Sequence, residues 1–218
     1  MTRNEMAPRQ IGGEQSKRSA LRRQFALPTG FCGWLVGHYM AVKNARMNHL
    51  AVELLDVQPD DRILEIGFGP GIALALLATR APRGFIAGID PSNVMVRQAT
   101  RRNRRAVQTG QMEVRQGTAS HRPYGDCFLD KVLAVNNFHH WTSPEHDLLE
   151  VRRVLREGGM LLLTFGMALA KPKLFAPPGL TTEQVEETKA ILERAGYRDL
   201  CAVERDVGRQ VMTIRAMK

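Results

Sequence analysis

The sequence predicts a doubly wound α/β protein built on a mostly parallel sheet with an antiparallel last strand. Three observations carry this expectation. Short apolar segments alternate with helix-compatible ones, the first apolar segment runs into a glycine-rich turn, and the last two apolar segments have no helix between them. Strands alternating with helices build a parallel sheet covered on both faces, and a final pair joined directly runs antiparallel.

At 218 residues, with 44% hydrophobic and 24% charged side chains, the chain is long enough to bury a core without disulfides or metals. Cys32, Cys127 and Cys201 are odd in number and widely spaced, with no C-x-x-C pair. Neither a disulfide framework nor a metal site is expected, and a reducing, cytoplasmic setting follows. Residues 1–24 read as a flexible basic tail, 25–56 as an N-terminal helical lid and 57–218 as a cofactor-binding domain. Phe25 to Val42 is apolar and follows the basic stretch Lys17 to Arg23, but Pro28, Thr29, glycines and His38 interrupt it. It falls short of the roughly 20 apolar residues of a membrane span and lacks a nearby cleavage site, so it is read as a covering helix.

Arg62 to Ile66 forms the first strand, and Ile72, Leu74, Leu76 and Leu77 lie on a helix ending near Pro82. Phe85 to Ile89 is the second strand, and Ser92 caps a helix carrying Val94, Met95 and Val96. Met112 and Val114 alternate with charged residues in a third strand, and Lys131 to Val135 is a fourth. Ser143-Pro144-Glu145 starts a helix with a capping serine, and Gly158-Gly159 is expected to stop it. Met160 to Phe165 is a fifth strand, and the Pro-rich Lys171 to Gly179 a loop. Thr181 to Gln184 resembles a capping box for a helix ending at Gly196, before strands at Leu200 to Arg205 and Val211 to Arg215.

In open α/β sheets, ligands bind beyond the carboxyl ends of the strands, where strand order reverses. Gly67, Gly69 and Gly71 occupy the first turn there and let a ligand approach the main chain. The spacing is G-x-G-x-G, with Ile72 where a dinucleotide fingerprint has its third glycine. Glu65 is an acid in an otherwise buried strand and needs donors from loop amides or from an ammonium group held through water. Asp90 ends the second strand, where a carboxylate can accept both hydroxyls of a ribose.

These residues resemble the class I S-adenosylmethionine-dependent methyltransferases through Glu65 to Gly71 and Gly88-Ile89-Asp90-Pro91-Ser92. The likeness extends through Gly117-Thr118-Ala119, Asp130 to Asn136 and Leu155 to Gly159, covering residues 45 to 216, and is nearest to small-molecule enzymes of the ubiquinone/menaquinone methyltransferase-like group. It implies a seven-stranded Rossmann-like sheet and S-adenosyl-L-methionine as cofactor. Gly67, Gly69 and Gly71 would lie against the methionine part, Asp90 on the ribose, and Pro91 and Ser92 beside the adenine. Thr118, with Ala119, stands where many members place an acid toward the adenine amino group. Asn136 would meet the methionine end.

Asn136 to Trp141 is the segment expected to face the acceptor. His139 is the candidate proton acceptor, with a supporting role as its competing reading. Trp34, Tyr39, Asn48, Phe138 and His140 are candidate pocket residues, Tyr39 having core packing as its alternative. Phe31, Trp34, Tyr39 and Met40 are expected to contribute a lid. The expected partner is a small-molecule acceptor. A nucleic-acid substrate is the second reading, raised by the formal charge of +9 and by Arg97, Arg101, Arg102, Arg104 and Arg105. Against it, Asn136-Asn137-Phe138-His139 lacks the paired prolines of DNA amino-methylating enzymes, and no aromatics interleave the arginines. A non-catalytic or NAD-binding protein of similar fold is the third.

Overall fold

The computed structural model describes residues 27, 29–120, 124–168 and 179–218. The basic tail expected over 1–24, and the loop expected over Lys171 to Gly179 except its last residue, lie outside them. Helices α1 (Gly30–Lys43) and α2 (Ala45–Leu54) lead into β1 (Arg62–Ile66), α3 (Ile72–Arg80), β2 (Phe85–Asp90), α4 (Asn93–Arg102), α5 (Arg104–Gln108) and β3 (Met112–Gln116). There follow β4 (Leu129–Val135), a single 3-10 turn (Phe138–His140), α6 (Pro144–Val154), β5 (Leu155–Gly166), α7 (Thr182–Arg194), β6 (Arg198–Asp206) and β7 (Gln210–Met217).

The strands form one seven-stranded sheet in the order β3-β2-β1-β4-β5-β7-β6. All neighbours are parallel except β7, which runs antiparallel to both β5 and β6. The last strand is thus the antiparallel one, as its direct connection from β6 requires, but it inserts beside β5 and leaves β6 at the edge. Strand order reverses between β1 and β4, which opens the ligand crevice at their carboxyl ends.

Alternation along the strands divides the interior into two cores. In β4, Val132 and Ala134 pack with Leu148 and Val151 of α6 and Val185 of α7, whereas Leu133 and Val135 pack with Val52 of α2, Leu74 of α3 and Met95 of α4. The same parity in β1 sends Leu64 and Ile66 to the first core and Ile63 to the second. Glu65 and Asp90 therefore share the α3/α4 side.

Capping follows the sequence in two places. The Ser92 hydroxyl accepts the Met95 amide at 3.3 Å, and Thr181 with Gln184 forms a reciprocal capping box. Two expectations need correction. Ser143 occupies the N-cap of α6 without a side-chain capping bond, leaving Pro144 and the acids Glu145 and Asp147 as the helix-start features. That helix ends at Val154 rather than at Gly158-Gly159, because Leu155 turns extended and is fully buried opposite Leu129. Gly158, at φ +69°, then lies inside β5, where the pairing with β4 shifts register.

Helix α1 lies on α4. Gly37 lies at this contact, where a side chain would displace the end of Gln98, whose amide donates to the Trp34 carbonyl at 2.9 Å. Among the described residues no helix is long and apolar enough to cross a membrane.

At the opposite end of the sheet from the crevice, Lys131 Nζ meets Asp61 Oδ2 at 2.8 Å with both side chains buried, and Asp61 also accepts the Gln58 amide at 2.7 Å. Removing one partner strands a buried charge. Lys131→Met is expected to lower the unfolding free energy by about 3–5 kcal/mol in urea titration. Arg156→Ala, which breaks a pair whose arginine is mostly exposed, should cost less than about 1 kcal/mol. Equal losses would show that the buried pair is not a structural lock.

Candidate active site

The turn after β1 is built from glycines for two distinct reasons. Gly67, Gly69 and Gly71 have φ of +66°, +52° and +78°, a region that side chains disfavour. Close neighbours forbid a Cβ as well: at Gly67 it would stand 2.5 Å from Asn137 Nδ2, and at Gly71 2.7 Å from the Ala99 Cβ. The close approach of turn and helix that Ile72 cannot supply is thus made at Gly71, against α4. Asn103 Nδ2 donates to the Gly71 carbonyl at 3.1 Å and Arg102 Nε to the Pro70 carbonyl at 2.9 Å, so one member of the arginine cluster clamps the loop.

Asp90 is the hub. Its Oδ2 accepts the Gly69 amide and its Oδ1 the Ser92 amide, both at 2.9 Å, which joins the glycine turn to the start of α4. Burial raises its pKa to about 6 against the opposing pull of those two amides. Glu65, only 2% exposed, is raised well above the ordinary carboxylate range, first by burial and then by the Asp90 charge, with the Leu74 amide of α3 opposing. Its Oε2 has no hydrogen-bond partner among the described residues. An orphan buried acceptor and a second carboxylate with unused lone pairs complement a ligand bearing an ammonium group and hydroxyls, as S-adenosylmethionine does.

Around this hub, Pro91 is exposed and its carbonyl accepts from Gln116 Nε2 at 3.0 Å. Thr118 is exposed and Ala119 is buried in the first core. Asn136 adopts a left-handed conformation, φ +56°, with its amide on the Thr164 carbonyl and its Oδ1 accepting the Gly166 amide at 3.4 Å. Its side chain thus turns toward β5. The adjacent Asn137, for which sequence reasoning had no role, bridges to β1 instead: Nδ2 donates to the carbonyls of Ile66 at 2.5 Å and Gly67 at 3.2 Å, and Oδ1 accepts from Trp141 Nε1 at 3.0 Å. A doubled Asn at the strand-order reversal was the available signal.

On the acceptor side, Phe138 is buried in the first core, 5.0 Å from the Trp141 ring, and the His139 and His140 rings lie 4.0 Å apart. Asn48 is buried, whereas Trp34 and Tyr39 are 43% and 39% exposed. The Trp34 ring lies 4.1 Å from that of His38, and Lys43 Nζ lies over the Tyr39 ring, so Tyr39 does not take the core position weighed for it. Met40 comes nearest the turn, its Cε 3.8 Å from where a Gly69 Cβ would be. The side chain of Phe31 lies outside the described residues. Arg209, also missed from sequence, stands in the β6–β7 turn close enough to act on His139.

Burial, then the His140 and Arg209 charges, lower the His139 pKa to about 4. Between pH 6.5 and 4 the unfolded chain binds a proton at His139 that the folded chain refuses. Its contribution to stability is therefore complete above pH 6.5 and is lost as pH falls toward 4. NMR titration should find the ring neutral at pH 5.5, and His139→Asn should lose less stability between pH 7.5 and 4.5 than the wild type. An ordinary titration midpoint near 6.5 would contradict the burial.

Comparison with known proteins agrees with this geometry. A methyltransferase domain family matches residues 64–163. The uncharacterized methyltransferase YdaC of Bacillus subtilis is 30% identical over 76% of this chain and 87% of that protein. A demethylmenaquinone methyltransferase of Thermotoga maritima is 30% identical over 50% of this chain and 45% of that protein. The crystal structure of a SAM-dependent methyltransferase from Aquifex aeolicus shares the fold, with a TM-score of 0.65 at 22% identity over 93% of this chain and 97% of that one. The glycine turn, its two buried carboxylates and the match in sequence lead to one conclusion: the chain belongs to the S-adenosylmethionine-dependent methyltransferases.

Proposed function

We propose that the protein transfers a methyl group from S-adenosylmethionine to a small-molecule acceptor. The observation that carries this reading is the position of α1, which packs on α4 through Gly37 and brings Met40 over the glycine turn. A helix packed beside the glycine turn fits an enclosed acceptor better than an open groove for a polymer. Residues 25–56 act as the lid in this reading, and the name of the Thermotoga maritima relative points to the same class of acceptor. Against a nucleic-acid substrate, Arg102 is engaged with the loop carbonyl of Pro70.

The contacts described above support a set of cofactor roles. Asp90 takes the ribose hydroxyls with its remaining lone pairs, and Glu65 Oε2 faces the ammonium end. Gly67, Gly69 and Gly71 admit the methionine part to the main chain, with Asn136 beyond them. Pro91, Ser92, Thr118 and Ala119 frame the adenine, Thr118 through its hydroxyl or main chain. The bound cofactor supplies a methyl group already activated by its sulfonium, so the protein's task is positioning and exclusion of water. His139, neutral at physiological pH, accepts the proton of an acceptor hydroxyl or amine, and Trp34, Tyr39, Asn48, Phe138 and His140 shape the acceptor side. The exposed free Cys32, Cys127 and Cys201 support a reducing, cytoplasmic setting.

Two measurements test this. In calorimetric titration with S-adenosylhomocysteine, Asp90→Ala should weaken binding about 100-fold, as expected for lost bonds to a charged group, whereas His139→Ala should change it less than about threefold. Equal losses would contradict the division of roles. With tritium-labelled S-adenosylmethionine and a cell extract, label should enter an organic-soluble product, and His139→Ala should slow this by about 100-fold or more. Label found in RNA or protein instead would overturn the small-molecule reading.

A further inference from the structure

Arg209 is placed as a binding group rather than as a surface charge. It follows the turn after β6 and directly precedes β7, and because β6 runs with the parallel strands, this turn reaches the carboxyl end of the sheet. The Met167 amide donates to the Gln210 carbonyl at 2.9 Å and Val211 pairs with Gly166, so the turn is fastened to the end of β5. The guanidinium rests directly on Gly166, where any side chain would overlap it. Gly166 is also the residue whose amide reaches Asn136, and Arg209 acts electrostatically on His139. Its place is therefore at the end of β5, beside Asn136 where the acceptor segment begins.

Among the described residues no carboxylate lies within ion-pairing distance of Arg209, although the guanidinium is partly withdrawn from water. The acid in the same turn, Asp206, has Oδ1 on the Gly208 amide at 2.8 Å. A second guanidinium, that of Arg46 in α2, approaches the turn from the lid side, 3.3 Å from where a Gly208 Cβ would be, and it too has no acid within that distance among the described residues. The exposed Arg46 and the half-buried Arg209 thus bring two guanidinium groups to one turn with no carboxylate partner among the described residues. A guanidinium partly withdrawn from water without a carboxylate partner is stabilised by an anion, and it presents paired donors suited to carboxylate or phosphate oxygens.

We propose that Arg209, assisted by Arg46, forms an anion subsite that holds a carboxylate or phosphate of the methyl acceptor, with the methylated atom near His139. This rests on the small-molecule reading above and narrows it to an anionic acceptor. The subsite fixes the acceptor's far end, so that the reacting atom is oriented without a contact at the methyl group itself.

The test uses the full chain saturated with S-adenosylhomocysteine, with benzoate, phenyl phosphate and the neutral benzamide as probes titrated by NMR. At least one of the two anions should bind about 10-fold or more tightly than benzamide, and whichever anion is preferred identifies the headgroup. Arg209→Met should abolish the preference, Arg209→Lys should restore part of it, and Arg97→Met, on an exposed arginine outside the subsite, should leave it intact. Unchanged S-adenosylhomocysteine affinity in Arg209→Met reports that the variant is folded. Anions binding no more tightly than benzamide, or a preference that survives Arg209→Met, would overturn the proposal while the organic-soluble product of the labelling assay would still support a small-molecule acceptor. Label in RNA would remove the small-molecule reading itself.

Discussion

Glu65 and Asp90 are held on one face of the sheet at the ends of neighbouring parallel strands, both withdrawn from water, and that burial dictates what surrounds them. Asp90 is accommodated by two main-chain amides, one from the glycine turn and one from the residue capping α4. Those bonds fix the path of the turn, and the turn in turn demands glycines where Asn137 and Ala99 press against it. Glu65 is left with an oxygen unmatched by protein donors. A buried acceptor without a donor is destabilising by itself, and the ammonium group of the proposed cofactor is a donor that would relieve it.

Across the crevice the character of the groups changes. The β1 and β2 ends carry acids, whereas the β5 and β7 ends carry Arg209 and, from α2, Arg46, and the histidines in the turn after β4 are kept uncharged by burial. Such an axis suits a reaction in which a cationic donor is held at one end and the acceptor is aligned from the other. Fixed charges of this kind cost no reorganisation during reaction, because the fold has already positioned them.

Much of this was readable from sequence because it is local or periodic. The strands showed as short apolar runs, with alternation in β3, the glycine turn through its spacing, and the caps at Ser92 and Thr181 through residue types adjacent to what they cap. Failures arose where distant packing decides. Leu155 ends α6 early because a partner in β4 buries it, which a nearby pair of glycines concealed. Tyr39 has the composition of a core residue but stands on the outward part of a helix that packs through small residues. Arg209 belongs to no motif, and its meaning depends on β7 inserting between β5 and β6, which brings residues far apart in sequence to one strand end. Asn137 gained its role from a bridge between two strands, which spacing within either strand does not encode.

The two-sided core has a consequence for how the chain tolerates change. Because successive side chains in β1 and β2 point to opposite faces, a one-residue slip of either strand would send its carboxylate to the side packed by α6 and α7, leaving an apolar residue beneath the turn. The apolar contacts that set the register, Ile63 and Leu64 in one strand and Ile86 and Ala87 in the next, thereby also serve as the address of the acids. Substitutions that merely loosen those contacts change stability by degrees. A single-residue insertion or deletion within either strand would instead relocate a charge, so length in these strands is under a stricter constraint than composition.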